Sequence, residues 1–239
     1  MRPSIHRLSI VCFAVLVVTR AAVGAPWGTL EQAEALFKQA DQSEHVTVEV
    51  VGRSVEGRPI HAVRIASVDR EKAREPVVAM LVGLQHGDEP AAGRALLDLI
   101  RDVAADRSIL PATLDLHVIP IANPDGAVAD RRRNANEFDL NRDHQLLSQP
   151  ETVALHAYAR RVRPHLVVDG HEFNRTTSDY LERGWTEWPI ITLGACNSPL
   201  LPSPLPAAAN ALIDQVDAEV NAAGFNFTEY LVGDAPTVP

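Results

Sequence analysis

The sequence predicts an α/β fold, a mixed, mostly parallel twisted sheet held between helices. Three observations carry that expectation. From residue 46 onward, short apolar or β-branched runs alternate with segments of helical period, the pattern of strands joined through crossover helices. One run, residues 76–84, is almost wholly apolar, as a strand covered on both faces must be. The 239 residues, 46% hydrophobic and 22% charged, suffice for one domain with a substantial core.

The elements follow in chain order. Arg2 and Arg7 precede an apolar run over residues 8–18, which Thr19, Arg20 and the small residues 21–25 close. A basic start, a short apolar middle and a small-residue end describe a secretory signal peptide over residues 1–25. A retained membrane anchor is the weaker alternative, because the run is short for a bilayer and Arg20 interrupts it. The domain then covers residues 26–239, and export to the periplasm or medium is expected. Residues 26–45 read equally as a short pro-region or as an amphipathic first helix.

Residues 46–52 and 60–66 read as two strands, joined through a turn at Glu56-Gly57-Arg58-Pro59. The apolar strand at 76–84 leads to a helix over residues 90–104. Pro90 sits in its first turn, and Leu96, Leu97, Ile100 and Val103 recur at helical spacing. A strand over 114–121 ends in the turn Asn123-Pro124-Asp125-Gly126, and a polar, charged loop runs on to Asn141. A helix over 151–163, a strand core at 166–168 and a strand at 189–194 come next. An Ala-rich helix over 204–223 is closed by Gly224.

Charge and cysteine content exclude some functions. The net charge of −9 becomes about −12 once the three arginines of residues 1–25 are gone. An acidic surface of that kind does not bind nucleic acid or an anionic membrane by bulk charge. Cys196 alone would remain after cleavage, so stability must come from packing and not from an internal disulfide.

Chemistry concentrates around Gly83-Leu84-Gln85-His86-Gly87-Asp88-Glu89-Pro90. His86 stands where a buried strand stops and Glu89 where a helix starts, so an imidazole and a carboxylate can converge on one ion. Zinc accepts such nitrogen and oxygen ligands, and two histidines with one carboxylate leave a position open. The plainer reading makes Glu89 a complement to the helix N-terminus and His86 an ordinary loop histidine. His171, after the strand 165–169 and a glycine, is the best third ligand. Glu172 competes with it, and a simple structural bond from His171 to Asp169 is the alternative. Arg131 reads as solvated, whereas Asn141 and Arg142 follow an apolar pair and suit fork-like recognition of a carboxylate.

Taken in order, His86-x-x-Glu89, Asn123-Pro-Asp-Gly126, Arg132-x-Asn134, Asp139-Leu-Asn-Arg142 and Asp169-x-His171 resemble the zinc metallocarboxypeptidase family, bacterial branch. Gly52 to Arg58 is similar to that family's first hairpin. The resemblance implies an eight-stranded mixed sheet and one zinc ion held by His86, Glu89 and His171. It also implies a peptide substrate with a free C-terminal carboxylate. It assigns Arg132 to the scissile carbonyl and oxyanion, Asn141 and Arg142 to the terminal carboxylate, and Asp139 to orienting His86. The family's general-base glutamate comes late in the domain, and Glu229 matches its surroundings poorly. The sequence is therefore expected to stop before that base and before the last strand and helix. Two alternatives remain, a catalytically incomplete zinc-binding peptide module and a deacylase of N-acyl amino acids.

Overall fold

The computed structural model describes residues 12–19, 28–67, 76–173, 191–195, 202–224 and 227–229, with backbone alone for 12–19, 173, 191–195 and 227–229. In chain order the elements are β1 (Cys12–Thr19), α1 (Leu30–Ala40), β2 (Val46–Arg53), β3 (Pro59–Ile65), β4 (Val77–Val82), α2 (Pro90–Ala105) and β5 (Leu114–Ile119). There follow α3 (Pro124–Ala129), α4 (Leu140–Asp143), α5 (Pro150–Val162), β6 (Leu166–Phe173), β7 (Ile191–Ala195), α6 (Leu205–Ala222) and β8 (Phe227–Glu229). The strands form one sheet in the order β2-β3-β5-β4-β6-β1-β7-β8. It is mixed, as expected: β4 runs parallel to both β5 and β6, while β2–β3 and β3–β5 are antiparallel.

Period-two alternation explains why β4 looks featureless in sequence. Ala79 and Leu81 face one cluster, with Phe37 of α1 and Leu97, Ile100 and Val103 of α2. Met80 and Val82 face the other, with Ala154, Leu155 and Tyr158 of α5. Both faces are covered, so no polar alternation survives. Each large side chain buried this way contributes about 1.5–3 kcal/mol. The three α2 residues alone fix that helix, and its N-terminus, against the sheet.

Local signals set the helix ends. Thr29 caps α1 in a reciprocal capping box with Gln32, so residues 30–40 are helix whichever role the preceding segment has. Pro90 and Pro150 occupy the first turns of α2 and α5.

Two expectations need revision, and a third meets an alternative in the structure. The stretch 123–126 is more than a turn, because the Asn123 side chain accepts from the Gly126 N–H and starts α3. Strand β6 runs on to Phe173, past the strand 165–169 that the sequence suggests. Its pairing with β4 nevertheless ends at Val82 opposite Asp169, so His171 projects beyond the end of that neighbour. Finally, residues 12–19 form strand β1 between β6 and β7. A β-branched apolar run satisfies the pattern of a secretory core and of a central strand alike. Cys196 lies outside the described residues.

Candidate metal centre

The loop between β4 and α2 is shaped by contact with α3. A Cβ on Gly87 would stand 2.0 Å from the carbonyl carbon of Gly126 and 2.3 Å from the Ala127 nitrogen. Only glycine allows that approach, and it returns His86 and Glu89 to the same side of the sheet. Glu89 is the N-cap residue of α2, yet its side chain makes no capping hydrogen bond. The helix start is served instead by Glu172, whose Oε2 accepts from the Ala91 N–H at 3.0 Å. This separates the two glutamates. Glu172, the competing ligand of the sequence reading, is turned to the helix, and Glu89 is turned to the histidines. A second close approach delivers His171, since a Cβ on Gly170 would come within 2.5 Å of Ala92 Cβ.

His86, Glu89 and His171 are all buried, and their donor atoms lie within 4.8 Å of one another. His86 Nδ1 is 2.7 Å from Glu89 Oε1. His171 Nδ1 is 2.8 Å from Glu89 Oε2, and the two Nδ1 atoms are 3.1 Å apart. Each histidine has its other nitrogen on a second carboxylate: His86 Nε2 lies 3.1 Å from Asp139 Oδ1 and His171 Nε2 3.0 Å from Asp169 Oδ2. Both rings therefore give Nε2–H to a carboxylate and turn Nδ1 toward the shared centre. Two donors about 2.1 Å from one tetrahedral ion stand roughly 3.4 Å apart, close to the observed spacing. The donor set, its spacing and the outer carboxylates fit zinc.

Without an ion, the cluster is tied together by protons. Burial resists the charge on Glu89, but hydrogen bonds from His171 and His86 outweigh it and hold the carboxyl down to about 2. Burial likewise resists the charge on His171, but Asp169 and Glu89 outweigh it and push the imidazole up to about 10. For Asp139, burial is outweighed by His86 and Arg132, and its carboxyl is lowered.

The remaining sequence candidates approach from α4 and the loop before it. Arg132 places Nη1 3.2 Å from Glu89 Oε1 and Nη2 3.0 Å from Asp139 Oδ2. Its loop is anchored by Asn134, fully buried, which donates to Gln149 at 3.0 Å and to Glu151 at 3.1 Å. Asp139 caps α4, its Oδ1 accepting from the Asn141 N–H at 3.0 Å. Leu140 is fully buried beneath that helix. The segment thus enters the core as expected, but through Leu140, and Arg142 itself is exposed. Among the described residues Arg142 has no carboxylate partner, its Nη1 reaching only the Asn141 carbonyl at 3.3 Å. The Asn141 amide lies 3.1 Å from His171 Nε2. Arg131 pairs with Glu137. Glu229 ends β8, and its side chain lies outside the described residues.

Residues 34–162, just over half of the chain, match the zinc carboxypeptidase family. The chain belongs to that family. It is 29% identical over 157 residues to a probable carboxypeptidase 2 of Arthroderma benhamiae, an alignment covering 64% of this chain and 27% of that protein. It is 34% identical over 130 residues to carboxypeptidase SOL1 of Arabidopsis thaliana, covering 47% and 26%. A metallo-carboxypeptidase structure from Burkholderia cenocepacia shares the fold, with a TM-score of 0.66 at 22% identity. That match covers 86% of this chain and 54% of the other. The chain spans about a quarter of the length of these curated relatives.

Within this zinc carboxypeptidase chain, sequence reasoning missed Gln85 and His144. Gln85 is 3% exposed, and a polar side chain at the end of an apolar strand was the available signal. His144 carried none, because its partners come from other elements.

Proposed function

We propose that this chain is a zinc-dependent hydrolase of the carboxypeptidase kind, removing C-terminal residues from peptides or cleaving a related cell-wall peptide amide. The observation that carries the reading is the convergence of two Nδ1 atoms and one carboxylate, 2.7 to 3.1 Å apart, in a buried setting. His86, Glu89 and His171 hold one zinc ion, which supplies Lewis acidity toward a carbonyl and toward water. Asp139 takes the Nε2–H of His86 and sets that ring's orientation. Arg132, already beside Glu89 and Asp139, offers its guanidinium to negative charge growing on the carbonyl oxygen. Arg142, with no acidic partner among the described residues, and Asn141 take the terminal carboxylate.

Hydrolysis of a peptide acid and of its C-terminal amide, with and without a chelator, tests this reading. Slow, metal-dependent cleavage of the acid is expected, since no described side chain is placed as its general base, with a KM raised at least tenfold in Arg142→Met. Equal handling of acid and amide, or activity that survives metal removal, would overturn it.

We propose also that residues 1–25 direct export and that residues 26–239 form the catalytic domain, in which case cleavage removes β1 from the sheet. The support is the charge and hydropathy pattern of residues 1–25. No helix among the described residues is long and apolar enough to cross a membrane. N-terminal sequencing of exported protein should begin near residue 25, and a mature chain starting at Met1 would contradict the proposal.

A further inference from the structure

Behind His171 runs a line of hydrogen bonds whose direction is fixed link by link. Asp169 Oδ2, 3.0 Å from His171 Nε2, also accepts from Gln85 Nε2 at 2.6 Å. Gln85 Oε1 is 2.7 Å from His144 Nε2, and His144 Nδ1 is 3.1 Å from His156 Nε2. An ionised carboxylate only accepts, so the amide of Gln85 must turn its NH2 to Asp169 and its oxygen to His144. His144 must then carry its proton on Nε2. Its Nδ1 is left to accept from the Nε2–H of His156. Burial lowers the pKa of both His144 and His156, which favours the neutral rings this order requires.

The line matters because Asp169 is held at one oxygen. Its Oδ1 is buried and takes no hydrogen bond from any described residue, so Gln85 and His171 together set the carboxylate through Oδ2. If Gln85 turns, the carboxylate loses its second anchor and His171 loses a fixed acceptor. Among the described residues, Gln85, 3% exposed, has no other side-chain bond at its oxygen end than the one from His144.

We propose that His144 is a positioning residue for the metal centre: through Gln85 and Asp169, its Nε2–H holds the His171 ring with Nδ1 toward Glu89 and His86. The inference rests on the zinc reading of that centre. The line joins four elements, from α5 through the C-cap of α4 and the β4 end to β6. The helix that presents Asn141 and Arg142 is thereby linked to the third ligand.

The test is metal binding by the purified full chain, measured with cobalt(II) by absorption and with zinc against a chelator. Removing an outer partner of a metal-bound histidine weakens affinity about 10–100-fold; one link further out, His144→Ala is expected to weaken it about 3–10-fold and alter the cobalt spectrum. His144→Gln, whose amide can still donate near the old Nε2 position, should stay within about twofold of the parent chain. Melting of the metal-free proteins separates this from a packing role, which would lower both midpoints and leave affinity and spectrum unchanged. Should His144→Ala fail to fold, Gln85→Met removes the next link at similar volume and should show the same loss. Parent-like affinity and spectrum in the folded variant, Ala or Met, would overturn the proposal alone. A parent chain that binds neither ion would overturn the zinc reading with it.

Discussion

Lowering the pH from 8 to 6 should weaken zinc binding by about a hundredfold, because the ion must displace a proton from His171. That ring lies between two carboxylates, 2.8 Å from Glu89 and 3.0 Å from Asp169, and they push it up to about 10 against the effect of burial. Glu89, held down to about 2, is ionised throughout this range and contributes no proton. Below pH 10 each unit of acidification therefore costs a factor of about ten in apparent affinity. At pH 7, three units below that value, displacement offsets about 4 kcal/mol of the intrinsic binding free energy. Titration calorimetry in buffers of different ionisation enthalpy counts the protons directly. At least one proton per zinc ion should appear at pH 8, and any proton lost elsewhere only steepens the slope. An affinity unchanged between pH 8 and 6, with no proton released, would refute the reasoning.

Three further outcomes follow from the same geometry. The raised pKa of His171 stabilises the metal-free fold fully below about pH 6.5 and is lost as pH rises through about 10. The metal-free melting midpoint should therefore fall between pH 7 and 10.5 in a thermal scan, and a rising midpoint would count against the ion triad. Gly87→Ala places a methyl group 2.0 Å from the Gly126 carbonyl carbon. It should cost about 1–3 kcal/mol in denaturant melts and weaken zinc binding at least tenfold by moving the loop between His86 and Glu89. Glu151→Leu strips acceptors from the Val55 N–H and the Asn134 amide at a fully buried site. A loss of about 3 kcal/mol is expected, read as a lower midpoint, with Arg132 loosened and kcat reduced more than zinc affinity.

Much of the fold was legible because core strands and helices obey simple periods. The apolar run of β4, the Pro90 start of α2 and the spacing of Leu97, Ile100 and Val103 each agree with the structure. The end of β6 was not legible, since Asp169-Gly170-His171-Glu172 breaks the strand pattern with polar groups that the site needs there. His86 and Glu89 could be paired from their three-residue spacing across a strand-to-helix bend. Setting Glu172 aside as a ligand beside His171 could not be done the same way. That choice depends on which carboxylate faces the α2 N-terminus, and the structure gives that place to Glu172. Gln85, His144 and His156 were invisible as a set, because hydrogen bonds between separate elements leave no periodic trace. The exposure of Arg142 was also missed: its neighbour Leu140 carries the burial that the apolar pair suggested.

X-ray absorption at the zinc edge of the metal-loaded full chain addresses the ligand set without reference to turnover. Scattering from two imidazoles, with nitrogen and oxygen neighbours at about 2.0–2.1 Å, is expected, and one imidazole should disappear in His171→Ala. A spectrum with no imidazole contribution, or one unchanged by His171→Ala, would contradict the site on which the rest of the account stands.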